Sequence, residues 1–302
     1  ENGCLYKKAY KGFYSVRQEQ FLTDKERNEE GVFGPEWGEV IELEEENWYF
    51  NLSQHVQWLK DYVTNHPTVC EPEFRRQNLL NAIERSFGVD LCISRPKDRL
   101  SWGIPLPFDP DFVTYVWFDA LVNYISFAGY LAEEGAGLPD FNKLWPAACE
   151  VIGKDILVPA HGIYWLCMLH AMGFPDEAMP RLLVHGWLNI KGEKMSKSLG
   201  NIVDPNDLCD VFGAEAVRYY LVRDTKTGYD DYDPERLKMI YNTELANDIG
   251  NLTNRSLNMC TRYCGGRVTV AEGDDELSAA LRKNMADTVQ TFSACMNADN
   301  TA

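Results

Sequence analysis

The stretch richest in reactive side chains is Gly192-Glu193-Lys194-Met195-Ser196-Lys197-Ser198-Leu199-Gly200. Two lysines stand three residues apart, with serines between and beside them and a glycine at either end. This pattern suits a loop that closes over a polyanion. Lysine brings a compact cation, serine brings hydroxyl donors, and glycine frees the backbone at the ends. A bare Lys-x-x-Lys is by itself a solvated surface loop, so the flanks decide. Upstream, Leu182-Leu183-Val184-His185-Gly186-Trp187-Leu188-Asn189-Ile190 reads as a strand and turn entering the loop. Downstream, Asp204-Pro205 reads as a helix start, an N-cap aspartate followed by proline at the first helical position. A cationic loop between a strand and a capped helix is built to clamp phosphate. A lysine about 4 Å from a phosphate charge contributes on the order of 4 kcal/mol at an effective dielectric of about 20. Lys197 is expected in that role first and Lys194 second.

Such a loop needs a scaffold, and residues 113–190 supply the pattern of one. Val113 to Phe118 is a continuous apolar, β-branched and aromatic run, as in a strand buried on both faces, with Ala120 to Leu131 at helical spacing after it. A second run, Cys149-Glu150-Val151-Ile152, leads into Gly153-Lys154-Asp155 and a helix holding Tyr164, Trp165, Leu166 and Met168; the third is Leu182 to Leu188. Alternating buried strands and helices predict a doubly wound parallel α/β sheet, whose ligands gather at the carboxyl ends of the strands. Trp117, Asp119, Gly153, Asp155, His161 and His185 fall at or just after those ends. Taken alone, Trp117 is a core aromatic and His161 a helix residue with a satisfied ring.

The flanking segments differ in kind. Residues 1–112 read as short aromatic strands (Tyr6 to Val16), an acidic turn-rich stretch (Glu26 to Glu46), and two helices. The first is capped at Asn51-Leu52-Ser53-Gln54 and spaces Val56, Leu59 and Val63 inward; the second, Glu73 to Phe87, turns Phe74, Leu79, Leu80, Ile83 and Phe87 inward. From Asp233-Pro234 a helix is expected to run to Gly265-Gly266, and another covers Leu281 to Met296. Asn247, Asn251 and Arg255, four apart, form a ladder which on spacing alone is an exposed polar face.

With 302 residues, 45% hydrophobic and 12% aromatic, the chain can bury a large core and should hold about two domains. No run of about 18 apolar residues occurs, so no membrane partner is expected. Nine scattered cysteines, with no C-x-x-C pair, predict free thiols and a cytoplasmic setting. Cys260 and Cys264 sit at helical spacing, and no metal site is expected there or elsewhere. A net charge of −17 argues against binding nucleic acid by bulk charge, which leaves a local basic patch to do it.

Lys194-Met195-Ser196-Lys197-Ser198 matches letter for letter the KMSKS signature of class I aminoacyl-tRNA synthetases, and its surroundings resemble the methionyl-tRNA synthetases. The resemblance spans nearly the whole chain, in family order. Lys11-Gly12-Phe13-Tyr14-Ser15-Val16 and Trp48-Tyr49-Phe50-Asn51-Leu52-Ser53 resemble the connective peptide, in a zinc-free form because serine and arginine follow Tyr14 where the family's cysteines would fall. The implied layout is a connective-peptide insert (1–112), the second half of a Rossmann-type catalytic domain (113–190), the KMSKS loop and stem-contact region (191–232), and the start of a helical anticodon-binding bundle (233–302).

The implied activity is ATP-dependent formation of methionyl-adenylate, followed by transfer to tRNA(Met) for protein synthesis, with ATP and Mg2+ as substrate. In the resemblance, Lys197, Lys194 and Arg95 (in Ile93-Ser94-Arg95) act on the phosphates. Lys194, Ser196, Lys197, Gly153, Asp155, His185, Trp187 and Leu188 hold ATP. Trp117, Leu121, Tyr124, Ile156 and His161 form the methionine slot, and Asn247, Asn251 and Arg255 read the anticodon. Sulfur near aromatic edges gains about 0.3–1.5 kcal/mol per contact, and a polar contact from a tyrosine hydroxyl or His161 would add discrimination that an apolar slot lacks. The sequence departs from the family at Leu121, where some members have proline, and at Pro159-Ala160, where an aromatic is usual. None of the five histidines (55, 66, 161, 170, 185) stands in a HIGH motif, so the amino-terminal half of the nucleotide fold is expected to lie outside this sequence, and the fragment is expected to be inactive alone. The alternatives are a synthetase for another apolar amino acid and a non-catalytic tRNA-binding relative. Oligomeric state is not legible.

Overall fold

The computed structural model describes residues 3–17, 20–22, 26–28, 31–146, 149–196, 200–224, 230–268 and 275–297. The chain divides into two compact units, Glu1–Val184 and His185–Ala302.

In the first unit, β1 (Leu5–Ser15), β2 (Gln20–Leu22) and β3 (Val40–Phe50) are followed by α1 (Ser53–Asn65), β4 (Cys70–Glu71), α2 (Glu73–Arg85), β5 (Leu91–Cys92), β6 (Ser94–Pro96), β7 (Pro105–Leu106) and β8 (Asp109–Thr114). Short helices α3 (Val116–Ala120), α4 (Asn123–Ser126) and α5 (Phe141–Leu144) lead to β9 (Glu150–Gly153). A wide-turned helical stretch, Leu157–Trp165, runs into α6 (Leu166–Ala171), and β10 (Leu182–His185) closes the unit. β1 and β3 pair antiparallel along their whole length, from Leu5↔Phe50 to Ser15↔Val40. The acidic run has partners there: Lys11 meets Glu42 at 3.1 Å and Lys7 meets Glu46 at 3.3 Å, while Arg99 pairs with Glu45.

The expected break at 112 does not separate an insert from the parallel sheet. β4 pairs in parallel with β10 (Leu182↔Cys70), in the order β4-β10-β9. Val56, Leu59 and Val63 of α1 and Leu79 and Ile83 of α2 share one core with Trp165, Leu166, Leu169 and Leu182. The α1 spacing is as read. Its first turn is satisfied differently, because Asp90 Oδ1 accepts from Ser53 N at 2.9 Å while Leu52 holds the cap position. Phe74 on α2 and Phe87, just past its end, face solvent, 50% and 41% exposed, and Arg75 is buried instead.

The run 113–118 is not one buried strand. β8 ends at Thr114 and lies antiparallel between β6 and β7. Tyr115 then turns the chain, its carbonyl accepting from Phe118 N and Asp119 N, which leaves Val116 62% exposed. Nor does Ala120 to Leu131 form one helix. Gly129 takes φ +95°, and a Cβ there would lie 2.1 Å from the Pro139 carbonyl oxygen.

In the second unit, β11 (Leu188–Ile190) and β12 (Glu193–Lys194) form a hairpin, followed by α7 (Pro205–Phe212), α8 (Ala214–Asp224) and β13 (Asp230–Asp231). Next, α9 (Pro234–Ile240) continues through a wide-turned stretch, Tyr241–Gly250, into α10 (Asn251–Cys264), and α11 (Glu276–Asn297) follows. Asp204 caps α7 by accepting from Asn206 N, and Asp233 caps α9 by accepting from Glu235 N and Arg236 N. The long helix stops as read, at Gly265 in the left-handed region. Tyr220, Leu237 and Ile240 form a small core with Leu208, Phe212, Tyr219 and Tyr232.

Candidate active site

The expected amino-acid slot lies wholly within the first unit. Leu121 is 1% exposed and His161 2%, while Trp117, Tyr124 and Ile156 are half-buried and pack against the main core. His161 Nδ1 lies 2.8 Å from the Ile156 carbonyl oxygen, and Nε2 lies 2.9 Å from the Tyr124 hydroxyl. A carbonyl can only accept, so Nδ1 carries the proton. Burial lowers the His161 pKa and keeps the ring neutral, so Nε2 accepts from the Tyr124 O–H. Burial, then the Glu150 carboxylate, raises the Tyr124 pKa and keeps its proton in place. The pair presents an oriented, uncharged edge suited to a thioether and unfriendly to a charged side chain.

Two residues behind this pair escaped the sequence reading of the slot. Trp165, fully buried, packs 5.8 Å from the Tyr124 ring, and its indole N–H donates to Glu150 Oε1 at 3.2 Å. The available signals were a glutamate inside an apolar strand run and a tryptophan one helical turn after His161.

Gly153 ends β9 in extended conformation, and Lys154 pairs with Asp155 at 3.3 Å. The Asp155 side chain is 50% exposed and so accessible to ligand. Arg95, on β6, donates through Nη1 to the Ser94 carbonyl at 2.8 Å and Cys92 Sγ at 3.4 Å, with its guanidinium 5.2 Å from the Tyr115 ring centre. It lines a cleft of about 440 Å³ with Tyr6, Lys8 and Tyr49, and a smaller one of about 210 Å³ with Tyr14 and Arg99.

The remaining nucleotide candidates belong to the second unit. Asn189↔Lys194 and Ile190↔Glu193 frame a two-residue turn in which Lys191 (φ 51°) and Gly192 (φ 78°) are both left-handed, the signature of a hairpin turn matched to strand twist. Gly192 N–H is shared by both carboxylate oxygens of Asp231, each at 3.0 Å. Gly192 is therefore a fixed turn residue, and Lys194 stands at a strand end with its ammonium 3.8 Å from the Trp187 ring centre. Asn201 ties the loop's two ends: its Nδ2 donates to the Lys194 carbonyl at 3.1 Å, and its Oδ1 accepts from Ser196 N at 2.8 Å. Lys197 lies outside the described residues, as do Ser198 and Leu199. His185 Nδ1 donates to the Gly186 carbonyl at 2.8 Å, and Leu188 opens β11. Asn247, Asn251 and Arg255 are all exposed on the long helix. Among the described residues no cluster of three His, Cys, Asp or Glu side chains is placed to hold a metal, and no helix is long and apolar enough to cross a membrane.

Comparison with known proteins gives the family. A family model described as tRNA synthetases class I (M) matches residues 37–257. The methionine–tRNA ligase of Lactiplantibacillus plantarum is 39% identical over 309 residues, covering 98% of this chain and 44% of that protein. That of Thermotoga maritima is 40% identical over 302 residues, covering 98% and 46%. The Mycobacterium tuberculosis methionyl-tRNA synthetase bound by methionyl-adenylate superposes with a TM-score of 0.80 at 33% identity, over 100% of this chain and 58% of that one. Its apo form gives 0.81 at 31% identity, over 99% and 58%. The chain spans less than half the length of these curated relatives.

Proposed function

The chain belongs to the class I tRNA synthetases of the (M) family, and from that premise we propose that it is the part of a methionine–tRNA ligase that binds methionine and clamps ATP. The methionine carboxylate attacks the α-phosphorus of ATP, the bond to the β-phosphate oxygen breaks, and pyrophosphate leaves methionyl-adenylate. A hydroxyl of the tRNA terminal ribose then attacks the methionyl carbonyl and releases AMP. Such chemistry asks the protein for alignment and charge stabilisation more than for a nucleophile.

In this reading Trp117, Leu121, Tyr124, Ile156 and His161 bind the methionine side chain. Asp155 and the Gly153 backbone hold the ammonium group and ribose; His185, Trp187 and Leu188 receive the adenine; Lys194, Ser196, Lys197 and Arg95 face the phosphates. Mg2+ arrives with ATP, and Asn247, Asn251 and Arg255 contact the anticodon of tRNA(Met), where amides and a guanidinium pair with base edges and stack on base faces. The free cysteines fit a reducing, cytoplasmic setting. The observation that carries the reading is the neutral Tyr124–His161 pair, with Trp165 against the Tyr124 ring and half-buried Trp117 and Ile156 packed on the same core.

The deciding experiment is amino-acid-dependent ATP–pyrophosphate exchange, run on this chain alone and on the chain extended by the segments its relatives carry. Exchange with methionine, and not with leucine, isoleucine or valine, is expected from the extended protein and is abolished by Lys197→Ala. A folded extended protein that exchanges with none of the four is the tRNA-binding relative instead.

A further inference from the structure

β9 opens with a carboxyl group inside the core. Glu150 is 5% exposed, its N–H is bonded to the Arg181 carbonyl at 2.8 Å, and one side-chain oxygen, Oε1, accepts from the Trp165 indole. The other, Oε2, is buried without a hydrogen-bond partner among the described residues. A leucine would fill this volume with no desolvation cost, so a carboxyl here is expensive unless its directionality is used.

The neighbourhood shows what that directionality can do. The Trp165 ring lies between Trp145, 6.4 Å away and edge-on, and Tyr124, 5.8 Å away. Apolar packing tolerates either flip of an indole of this shape; a directional N–H bond selects one. Tyr124 in turn leans on that ring while its hydroxyl donates to His161. We propose that Glu150 is a positioning residue for the amino-acid slot: it fixes the Trp165 indole, and through that ring it holds the Tyr124 hydroxyl on His161. The proposal rests on the reading of this slot as the amino-acid pocket and adds a determinant of its shape that touches no substrate.

The test compares wild type, Glu150→Gln and Glu150→Leu in the extended protein by pyrophosphate exchange, with KM measured separately for methionine and for ATP. Glutamine keeps an acceptor for the indole and is expected to stay within about twofold of wild type for both substrates. Leucine removes the acceptor and is expected to raise KM for methionine about tenfold with KM for ATP unchanged. In tryptophan-labelled protein, the Trp165 indole N–H resonance should move in the leucine variant and stay near its wild-type position with glutamine. An unchanged methionine KM in a folded Glu150→Leu protein overturns the proposal, as does an equal rise in both KM values, the mark of general loosening. A wild type that exchanges with leucine in place of methionine overturns the substrate reading alone, and the same comparison made with leucine then decides Glu150. A wild type that exchanges with no amino acid overturns both.

Discussion

Two residues of the slot make opposite demands on protonation. His161 must stay neutral to accept from Tyr124, and burial ensures it. Tyr124→Phe removes the hydroxyl and leaves Nε2 buried without a donor, which costs about 1–3 kcal/mol. That loss is expected chiefly in kcat/KM for methionine, measured by exchange, with ATP affinity unchanged. Glu150 carries the reverse problem: burial pushes its carboxyl from 4.5 up to about 7, against the partial relief of the Trp165 hydrogen bond. The folded state therefore holds a proton that the unfolded state releases. This contribution to stability is fully present below pH 4.5, is lost as pH rises through about 7, and is flat above. Over that window the loss is on the order of 3 kcal/mol. Urea midpoints at pH 5 and pH 8 should differ less in Glu150→Gln than in wild type; equal pH dependence in the two proteins would falsify this assignment.

At the scale of elements, α1 and α6 meet through two histidines. His55 Nδ1 and His170 Nδ1 are 2.9 Å apart, His170 stacks on Trp58 with ring centres at 3.9 Å, and the Trp58 indole donates to Asp176. Burial lowers both histidine pKa values; a charge on His170 further disfavours protonating His55, while Asp176 partly restores His170. In the neutral pair one Nδ1–H donates to the other Nδ1; a further proton turns the accepting ring into a cation and sets two N–H donors face to face. The seam's stability is thus present above pH 6.5 and lost as pH falls below it. Chemical denaturation between pH 5 and 7 should show this acid limb, and His170→Asn, which cannot ionise, should flatten it. The KMSKS hairpin is the other informative element. Its turn, the Asp231 contact and the Asn201 bridge hold the Gly192 and Ser196 amides and the Lys194 carbonyl in place.

For the whole molecule, the proposed anticodon contacts can be tested apart from adenylate formation. Arg255→Ala and Asn251→Ala, on an exposed helix of the second unit, are expected to leave pyrophosphate exchange unchanged and to lower aminoacylation of tRNA(Met) by about tenfold each, or about 1.4 kcal/mol. A parallel fall in exchange would mean that the helix serves adenylate formation instead. With a net charge of −17, any tRNA complex depends on local cations, so its affinity should fall steeply between 50 and 200 mM salt, roughly in proportion to the phosphates contacted.

What the sequence determined by itself was local. The Asp204 and Asp233 caps, the stop at Gly265 and the inward face of α1 each depend on residues within a turn or two of one another, where propensity and spacing act directly. The family likeness was legible for the same reason, since it rests on short runs in order. Tertiary structure decided the rest. It brought Cys70 beside Leu182 in one parallel sheet, turned the chain at Tyr115 where the apolar run promised more strand, and set Glu150 under Trp165 behind the Tyr124–His161 pair. Those outcomes depend on which distant surfaces are buried together, and the cost or use of a buried carboxyl exists only once its neighbours are in place.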